Sequence, residues 1–220
     1  MTGLQTKQEV SKKPRIRDAE ATRARILSAA KKEFAKSGLA GARVDVIAER
    51  SKSNKRMIYH YFNSKDELFQ RVLEDAYVDI RTAEMKLNLD AMDPRQALRR
   101  LVEFTWRYYL ANPEFIVLVN SANLHRARHL KKSESLQTVS RRFVDMVAAL
   151  LKRGEESGDF RPGIDPVQLN ITIAAIGYYY LTNRFTGSIV YERDLMAKEN
   201  LEARLAFNLD TILRLLKKER

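Results

Sequence analysis

Five side chains between positions 54 and 60 have the chemistry needed to bind a nucleic acid. Asn54, Lys55, Arg56, Tyr59 and His60 all carry hydrogen-bond donors. Lysine and arginine neutralise phosphates, and arginine also fits O6 and N7 of guanine with two hydrogen bonds. These residue types, so close together, indicate a surface that grips a polyanion and reads base edges.

A helix is needed to hold these donors on one side. Ile58 and Phe62 are four residues apart, the spacing of a buried helical face, so a short helix over about 54–62 is predicted with its donors facing outward. A helix over 44–50 and a turn at 51–53 precede it. Two short helices joined by a tight turn form a helix-turn-helix motif, whose second helix enters the major groove of DNA.

Helices are also predicted on both sides of this motif. The helix before it ends near Gly38, where glycine supplies the left-handed stop. After it, Ser64 and Glu67 have the spacing of a capping box, in which each side chain bonds the other residue's backbone N–H. A long helix is therefore expected from Lys65 to about Leu87.

The charge of the chain is concentrated at its amino-terminal end. The net charge is +12, and residues 1–65 hold 16 Lys and Arg against 6 Asp and Glu. Residues 66–220 hold 24 Lys and Arg against 22 Asp and Glu. This distribution indicates a basic module that faces a nucleic acid, attached to a nearly neutral module.

Composition also excludes several classes of site. The chain has no cysteine, which rules out disulfides, thiolate metal sites and cysteine catalysis, and fits a reducing cytosol. The longest apolar stretch, residues 171–181, is much shorter than the roughly 20 residues of a membrane span. A cytoplasmic protein without a membrane partner is expected.

No convincing strand pattern follows, so the predicted fold class is all-α. The expected organisation is a flexible basic arm at 1–17, a three-helix DNA-binding domain at 18–65 and a larger helical domain at 66–220. Periodicity and breaks in the last domain predict helices at about 94–111, 114–130, 134–157, 166–187 and 199–218.

The segment from about 20 to 70 resembles the amino-terminal domain of the TetR family of bacterial transcription regulators. The matching residues are Phe-Ala-Lys-Ser-Gly at 34–38, Val-x-x-Ile-Ala at 44–48 and Ile-Tyr-His-Tyr-Phe-Asn-Ser-Lys-Asp-Glu-Leu at 58–68. The resemblance implies a transcription regulator, not an enzyme, that binds double-stranded DNA. It further implies a repressor that binds a pseudo-palindromic operator as a homodimer and is released by a small-molecule effector.

By this resemblance, the DNA-contacting positions are Arg43, Asn54, Lys55, Arg56, Tyr59, His60 and Lys65. Lys65 matches a lysine that commonly holds a phosphate. Arg43 stands where the family often has a hydroxyl, so an ionic contact replaces a hydroxyl contact and the second helix loses a side-chain cap. Lys52 replaces the usual glycine of the turn, so its left-handed backbone is expected to be strained or shifted.

The resemblance also implies a ligand pocket and a dimer interface in the second domain. Apolar and aromatic residues with a few polar groups are typical of a ligand cavity. The candidates for its lining are Trp106, Tyr109, Asn123, Phe143, Met146 and Tyr178. The candidates for the dimer interface, at helical spacing on the last helices, are Ile173, Ile176, Gly177, Tyr180, Leu201, Leu205, Leu209, Ile212 and Leu216.

Two alternatives use the same residues differently. The chain could bind DNA without any small-molecule ligand, which predicts a filled second domain with no cavity. It could instead be a helical metal protein, because His125 and His129 would share a helical face. No third ligand is suitably spaced, and Arg126 and Arg128 would repel a cation, so no metal and no cofactor are expected.

Overall fold

The computed structural model describes residues 13–131 and 133–218, with side chains from residue 18 onward. These residues form helices joined by turns and contain no strand beyond one isolated bridge between Phe160 and Lys217. The all-α prediction is confirmed. The chain divides into two compact units, Met1–Val72 and Leu73–Arg220. The predicted boundary after residue 65 lies at the start of the helix in which the observed division falls.

The first unit contains α1 (Lys13–Gly41), α2 (Val44–Arg50), α3 (Lys55–Phe62) and the beginning of α4 (Lys65–Met85). Helix α1 is interrupted at Gly38, whose φ of 64° and ψ of 179° are not helical, so its regular part ends where predicted. Residues 1–12 of the predicted flexible arm, which was expected over 1–17, lie outside the described residues. The backbone is helical from Lys13, so α1 begins within the last five residues of the predicted arm.

The core of the first unit fixes the orientation of α3. Phe34 of α1 and Phe69 of α4 are fully buried, and their rings meet edge to face with centroids 5.1 Å apart. Ile58 and Phe62 are buried on the inner side of α3. Full burial of one such side chain contributes about 1.5–3 kcal/mol, so these two anchors hold the outer side of α3 in a defined position.

In the described part of the second unit, the rest of α4 is followed by six α-helices. These are α5 (Pro94–Ala111), α6 (Pro113–Leu124), α7 (Glu134–Glu156), α8 (Pro166–Thr182), α9 (Arg184–Val190) and α10 (Lys198–Leu216). Asp93 and Asp165 cap α5 and α8, each accepting hydrogen bonds from two backbone N–H groups. A proline at the first helical position follows each cap, a combination that starts helices sharply.

Two predicted helices differ from the structure. The helix expected over 114–130 ends at Leu124, because Arg126 and Ala127 take left-handed backbone angles with φ of 55° and 50°. Residues 125–128 contain a single apolar side chain, so no buried face holds them in a helix. The helix expected over 166–187 divides at Asn183 into α8 and α9.

The core of the second unit is shared by α5, α7, α8 and α10. Its fully buried residues include Leu98, Val147 and Ile212. Within the described ranges, no helix combines the length and the apolar character needed to cross a membrane.

Candidate functional site

Helix α3 presents its donor side chains to solvent. Asn54, Lys55, Arg56, Tyr59 and His60 are all exposed, as predicted from their spacing. Because the opposite side of α3 is anchored in the core, these five residues form a rigid, outward-facing surface, called here the α3 surface.

Two residues of the α3 surface already have partners. The Asn54 side-chain oxygen accepts a hydrogen bond from the Met57 backbone N–H at 2.8 Å and thereby caps α3. Its amide NH₂ is left as the group that can donate to a base or phosphate. The Lys55 ammonium lies 2.6 Å from a carboxylate oxygen of Asp45, in a pair where both side chains are about half exposed. An exposed pair of this kind contributes less than about 1 kcal/mol, so an incoming phosphate can replace Asp45.

The beginning of α2 is held by a residue that the sequence reasoning missed. Arg43 provides no side-chain cap, as expected, and its own side chain is exposed. The buried Glu33 of α1 takes over this role, because one carboxylate oxygen accepts from the Arg43 backbone N–H at 3.3 Å. Its other oxygen pairs with Arg50, also at 3.3 Å. The sequence signal for this role was the position of Glu33 directly before the buried Phe34, because a charged side chain in such surroundings requires partners.

Lys65 lies at the first turn of α4 and is half-buried. Its ammonium donates a hydrogen bond to the Ala40 carbonyl at 3.1 Å, which holds it beside the end of α1. Half of the predicted capping box is confirmed, because the Ser64 hydroxyl accepts from the Glu67 N–H at 3.0 Å. The Glu67 carboxylate instead accepts from the Asn63 side chain at 2.7 Å. A helix amino terminus and a positioned ammonium together suit a phosphate.

The turn between α2 and α3 has the backbone strain predicted for it. Lys52 has a φ of 51°, in the left-handed region that glycine usually occupies. The buried Ser51 stabilises the turn, since its hydroxyl donates to the Ile47 carbonyl at 2.7 Å.

The predicted ligand-lining residues are only partly brought together. Trp106 and Tyr109 are buried in α5, and the Tyr109 ring lies 6.1 Å from that of Tyr178. The Tyr178 hydroxyl donates to the Asn120 side chain at 2.7 Å, and burial raises the pKa of Tyr178 to about 12. These three predicted residues therefore belong to one aromatic cluster.

The other three lining candidates make different contacts. Phe143 is buried in the core shared by α5, α7, α8 and α10, and the half-buried Met146 packs against that core. Asn123 is exposed, and its amide donates to the Val119 carbonyl at 3.0 Å within α6. Asn123 is therefore corrected from a lining residue to one on the surface.

An ion pair that the sequence reasoning missed lies beside Phe143. Arg81 and Glu84 of α4 pair at 2.6 Å, and the Arg81 guanidinium carbon lies 4.2 Å from the centre of the Phe143 ring. Only 3% of the Glu84 side chain is exposed. Burial raises the pKa of Glu84 to about 7, against the opposing effect of the Arg81 charge. Ala76, Ile80 and Glu84 follow one another at intervals of four residues along α4. This helical spacing, which places Glu84 on the buried side of the helix, was the sequence signal for a buried charge.

Most of the predicted dimer stripe faces the interior of the chain. Ile173, Leu209, Ile212 and Leu216 belong to the buried core, and Ile176 and Leu205 pack against it. Gly177 lies against Trp106 and Tyr109, Leu201 is half-buried, and the Tyr180 hydroxyl donates to the Leu195 carbonyl at 2.8 Å. The buried Ile173, Gly177, Leu209, Ile212 and Leu216 are therefore corrected to residues of the interior, because a buried side chain cannot reach another chain. The half-buried Ile176, Tyr180, Leu201 and Leu205 stay predicted interface residues.

The same helices carry a different apolar surface that is exposed. It consists of Val167, Ile171 and Tyr179 on α8, Phe185 and Ile189 on α9, and Phe207 and Leu215 on α10. This set is called here the exposed apolar face. The helical period was recognised in the sequence, but both sides of α8 and α10 carry apolar residues, so the period alone could not distinguish the inner side from the outer.

The histidine pair does not form the helical metal site considered from the sequence. His125 and His129 lie beyond the end of α6, on either side of the left-handed turn at Arg126 and Ala127. Their ring centres are 6.2 Å apart, and His129 Nε2 accepts a hydrogen bond from Arg128 at 3.3 Å. Among the described residues, no group of three or more His, Asp or Glu side chains is arranged to hold a metal ion.

Comparison with known proteins gives consistent matches along the chain. Residues 26–72 match the family model "Bacterial regulatory proteins, tetR family", and residues 94–212 match "Tetracyclin repressor-like, C-terminal domain". The HTH-type transcriptional repressor NicS of Pseudomonas putida is 42% identical over 200 residues, which cover 91% of this chain and 94% of NicS.

Solved structures show the same fold. A transcriptional regulator of Streptomyces coelicolor, SCO4942, matches with a TM-score of 0.66 and 27% identity, over 89% of this chain and 98% of its own. The regulator FadR of Bacillus subtilis, solved in complex with stearoyl-CoA, matches with a TM-score of 0.63 and 15% identity, over 87% of this chain and 97% of its own.

Proposed function

This chain belongs to the TetR family of bacterial transcription regulators, and we propose that it is a repressor that binds a pseudo-palindromic operator as a homodimer. A small-molecule effector releases it from that operator, and it acts in the cytoplasm. The observation that carries the proposal is the α3 surface, in which five donor side chains face solvent from a helix anchored by Ile58 and Phe62.

The residues of the operator contact divide into two groups. Arg56 and the Asn54 amide lie at the start of α3 and read base edges, because that end of a recognition helix enters the major groove. Arg43, Lys55, Tyr59, His60 and Lys65 contact phosphates and set the register. Lys65 is already held at the amino terminus of α4, so it needs little further ordering when DNA binds.

Homodimerisation is assigned to the exposed apolar face. Phe207 is 63% exposed, Phe185 71% and Ile189 78%, which is unusual for such large apolar residues. Several large apolar side chains exposed on helices close in sequence are typical of an interaction surface. Helices from two subunits packed about a two-fold axis match the symmetry of a pseudo-palindrome.

Repression and release by an effector are supported by the relatives. NicS, which is matched over 91% of this chain, is itself named a repressor, and a regulator of the same fold was solved with stearoyl-CoA bound. We place the effector at the aromatic cluster of Trp106, Tyr109 and Tyr178. Release requires that the effector bind the DNA-free conformation more tightly than the DNA-bound one.

A DNA-binding regulator without an effector is the second candidate. The observation that favours it is the close packing of Trp106 and Tyr109, which are 3% and 5% exposed. A thermal-shift screen against metabolites separates the two, because a bound effector raises the unfolding temperature in proportion to the logarithm of its concentration.

Fluorescence anisotropy tests the DNA-binding proposal. The probe is a duplex from the region upstream of the protein's own gene, titrated at several salt concentrations. Arg56→Ala is expected to weaken binding at least about tenfold, since a good arginine-to-base contact is worth about 1–3 kcal/mol. Arg100→Ala, which removes an exposed arginine of α5, is the matched control and leaves affinity unchanged. Equal effects of the two variants, or affinity independent of salt, contradict the proposal.

A further inference from the structure

A cleft of about 490 Å³ lies among α8, α9, the segment leading into α10, and α10 itself. It adjoins the aromatic cluster assigned to the effector, because the ring of Tyr180 in its wall meets the Trp106 ring edge to face with centroids 5.6 Å apart. Its walls contain three tyrosines and two arginines, and among the described residues that line it there is no aspartate or glutamate. A cleft with aromatic walls, two arginines and no carboxylate among its described lining residues is suited to an organic anion.

Arg204 is the half-buried cation of this cleft. One of its NH₂ groups donates to the Ile176 carbonyl at 2.9 Å, and its guanidinium carbon lies 5.3 Å from the centre of the Tyr180 ring. Its Nε is buried without a hydrogen-bond partner among the described residues. Burial lowers the pKa of Arg204, as expected for a cation removed from water without a carboxylate beside it. Arg204 is therefore fixed in place while most of its five donors remain available.

Other residues hold the walls of the cleft in position. The Tyr180 hydroxyl donates to the Leu195 carbonyl at 2.8 Å, which fastens the segment before α10 to α8. Arg193 is exposed at the same cleft. The neighbouring Asp194 uses its carboxylate to accept the Met196 N–H at 2.9 Å. The cleft is thus organised before any ligand arrives.

We propose that this cleft is a second ligand site, which binds a carboxylate attached to a flat aromatic ring. The Arg204 guanidinium pairs with the carboxylate, because its planar donors match two carboxylate oxygens. Arg193 adds charge at the rim, and the rings of Tyr179, Tyr180 and Tyr191 flank the ligand ring, since aromatic rings pack favourably face to edge or offset. The volume suits a ligand of one or two rings. Tyr179 also belongs to the exposed apolar face, so the ligand lies at the margin of the surface proposed for dimerisation.

Calorimetric titration of the full-length protein with benzoate and 2-naphthoate tests this site. Their uncharged amides, benzamide and 2-naphthamide, are the matched ligand controls. At least one acid is expected to bind with a Kd of about 1 mM or lower, and its amide at least about tenfold more weakly. Arg204→Gln is expected to weaken binding of that acid by a similar factor. Arg214→Gln, which changes an exposed arginine of the same helix, leaves binding unchanged.

A second variant tests the site without removing its charge. Thr186 is an exposed cleft residue, and Thr186→Trp is expected to fill the cleft and abolish binding of the acid. Circular dichroism checks that both variants remain folded. The proposal is overturned if neither acid binds, if acid and amide bind equally, or if binding survives both Arg204→Gln and Thr186→Trp. Operator affinity of unliganded Arg204→Gln is expected to equal that of the wild type, so failure of this site is distinguishable from failure of DNA binding.

Discussion

Buried carboxylates organise the interior of each unit. Glu33 accepts the Arg43 backbone N–H and pairs with Arg50, and Glu84 pairs with Arg81. An isolated buried charge costs several kcal/mol, so each of these residues is tolerated only because its partners are in place. In the first unit, Glu33 holds the beginning of α2 beside the exposed Arg43, which we propose to contact DNA.

The raised pKa of Glu84 predicts a pH dependence of stability. Burial raises this pKa from 4.5 to about 7, so the folded state favours the protonated form. As pH rises from 4.5 through 7, Glu84 ionises first in the unfolded chain, and its stabilising contribution is lost. Chemical denaturation of the wild type and of Glu84→Gln across this range is the measurement. The difference between their unfolding free energies is expected to change by up to about 3 kcal/mol, to the disadvantage of the wild type at high pH.

Glu156→Gln, which changes an exposed residue, controls for ordinary glutamate titration. Its stability is expected to run parallel to that of the wild type across the same pH range. If the unfolding free energies of the wild type and of Glu84→Gln change in parallel with pH, the prediction of a raised pKa for the Glu84 carboxyl is wrong.

The left-handed backbone of Lys52 predicts that glycine is better at this position. Its φ of 51° carries a strain of about 1–2 kcal/mol for a residue with a Cβ. Lys52→Gly is therefore expected to raise the free energy of unfolding by about 0.5–1 kcal/mol, after the greater freedom of glycine in the unfolded chain is deducted. The control, Lys36→Gly in the regular part of α1, is expected to lower it by about 1 kcal/mol. If Lys52→Gly and Lys36→Gly shift the denaturation midpoint in the same direction, the strain assigned to Lys52 is refuted.

Among the helices, success of sequence-based prediction depended on local signals. Helix α5 begins at Pro94 and ends at Ala111 as predicted, because a cap, a proline and an Asn-Pro break mark its ends. The break after Leu124 was missed, since no glycine or proline announces the left-handed turn at Arg126 and Ala127. Local chemistry determines helix ends most clearly where special residues occur, and tertiary packing determines the rest.

The connection between α4 and α5 depends on one arginine. The Arg153 guanidinium of α7 donates to the carbonyls of Leu89, Asp90 and Met92, at 2.7, 2.5 and 3.1 Å. Arg153→Ala is expected to destabilise the protein by about 2–4 kcal/mol, because hydrogen bonds from a charged group are worth about 1.5–3 kcal/mol each and are not additive. The adjacent Lys152 is 78% exposed at its side chain, and Lys152→Ala is expected to change stability by less than about 0.5 kcal/mol. Urea denaturation measures both, and similar values for the two variants would be incompatible with this role.

For the whole molecule, the sequence revealed the charge asymmetry and the two-domain organisation, but not which surfaces face outward. The α3 surface was predicted correctly because a single apolar spacing, Ile58 to Phe62, left only one side for the donors. Part of the dimer stripe was predicted on the buried side because α8 and α10 have apolar residues on both sides, including the buried Ile173 and the exposed Ile171. The cleft at Arg204 depends on contacts between helices distant in sequence, which spacing does not reveal.

The exposed apolar face predicts a defined effect on assembly. Phe207→Glu is expected to weaken the homodimer at least about a hundredfold, because a charge replaces a large aromatic residue in the contact. Sedimentation velocity over a range of protein concentrations measures the change. Leu124→Glu is the control, since Leu124 is 84% exposed on α6, a helix that contributes no residue to this face, and its loss leaves assembly unchanged. A monomeric wild type, or a Phe207→Glu variant that assembles normally, would place the dimer contact elsewhere or exclude it.

The most direct test of the proposed function is hydroxyl-radical footprinting on the DNA upstream of the protein's own gene. The wild type is expected to protect two half-sites related by a two-fold axis, with centres separated by about 10 base pairs or a multiple of that repeat. Arg56→Ala is expected to lose both protected regions at protein concentrations where Arg100→Ala retains them. A single protected region, or equal protection by the two variants, would contradict a dimeric repressor that reads DNA through the α3 surface.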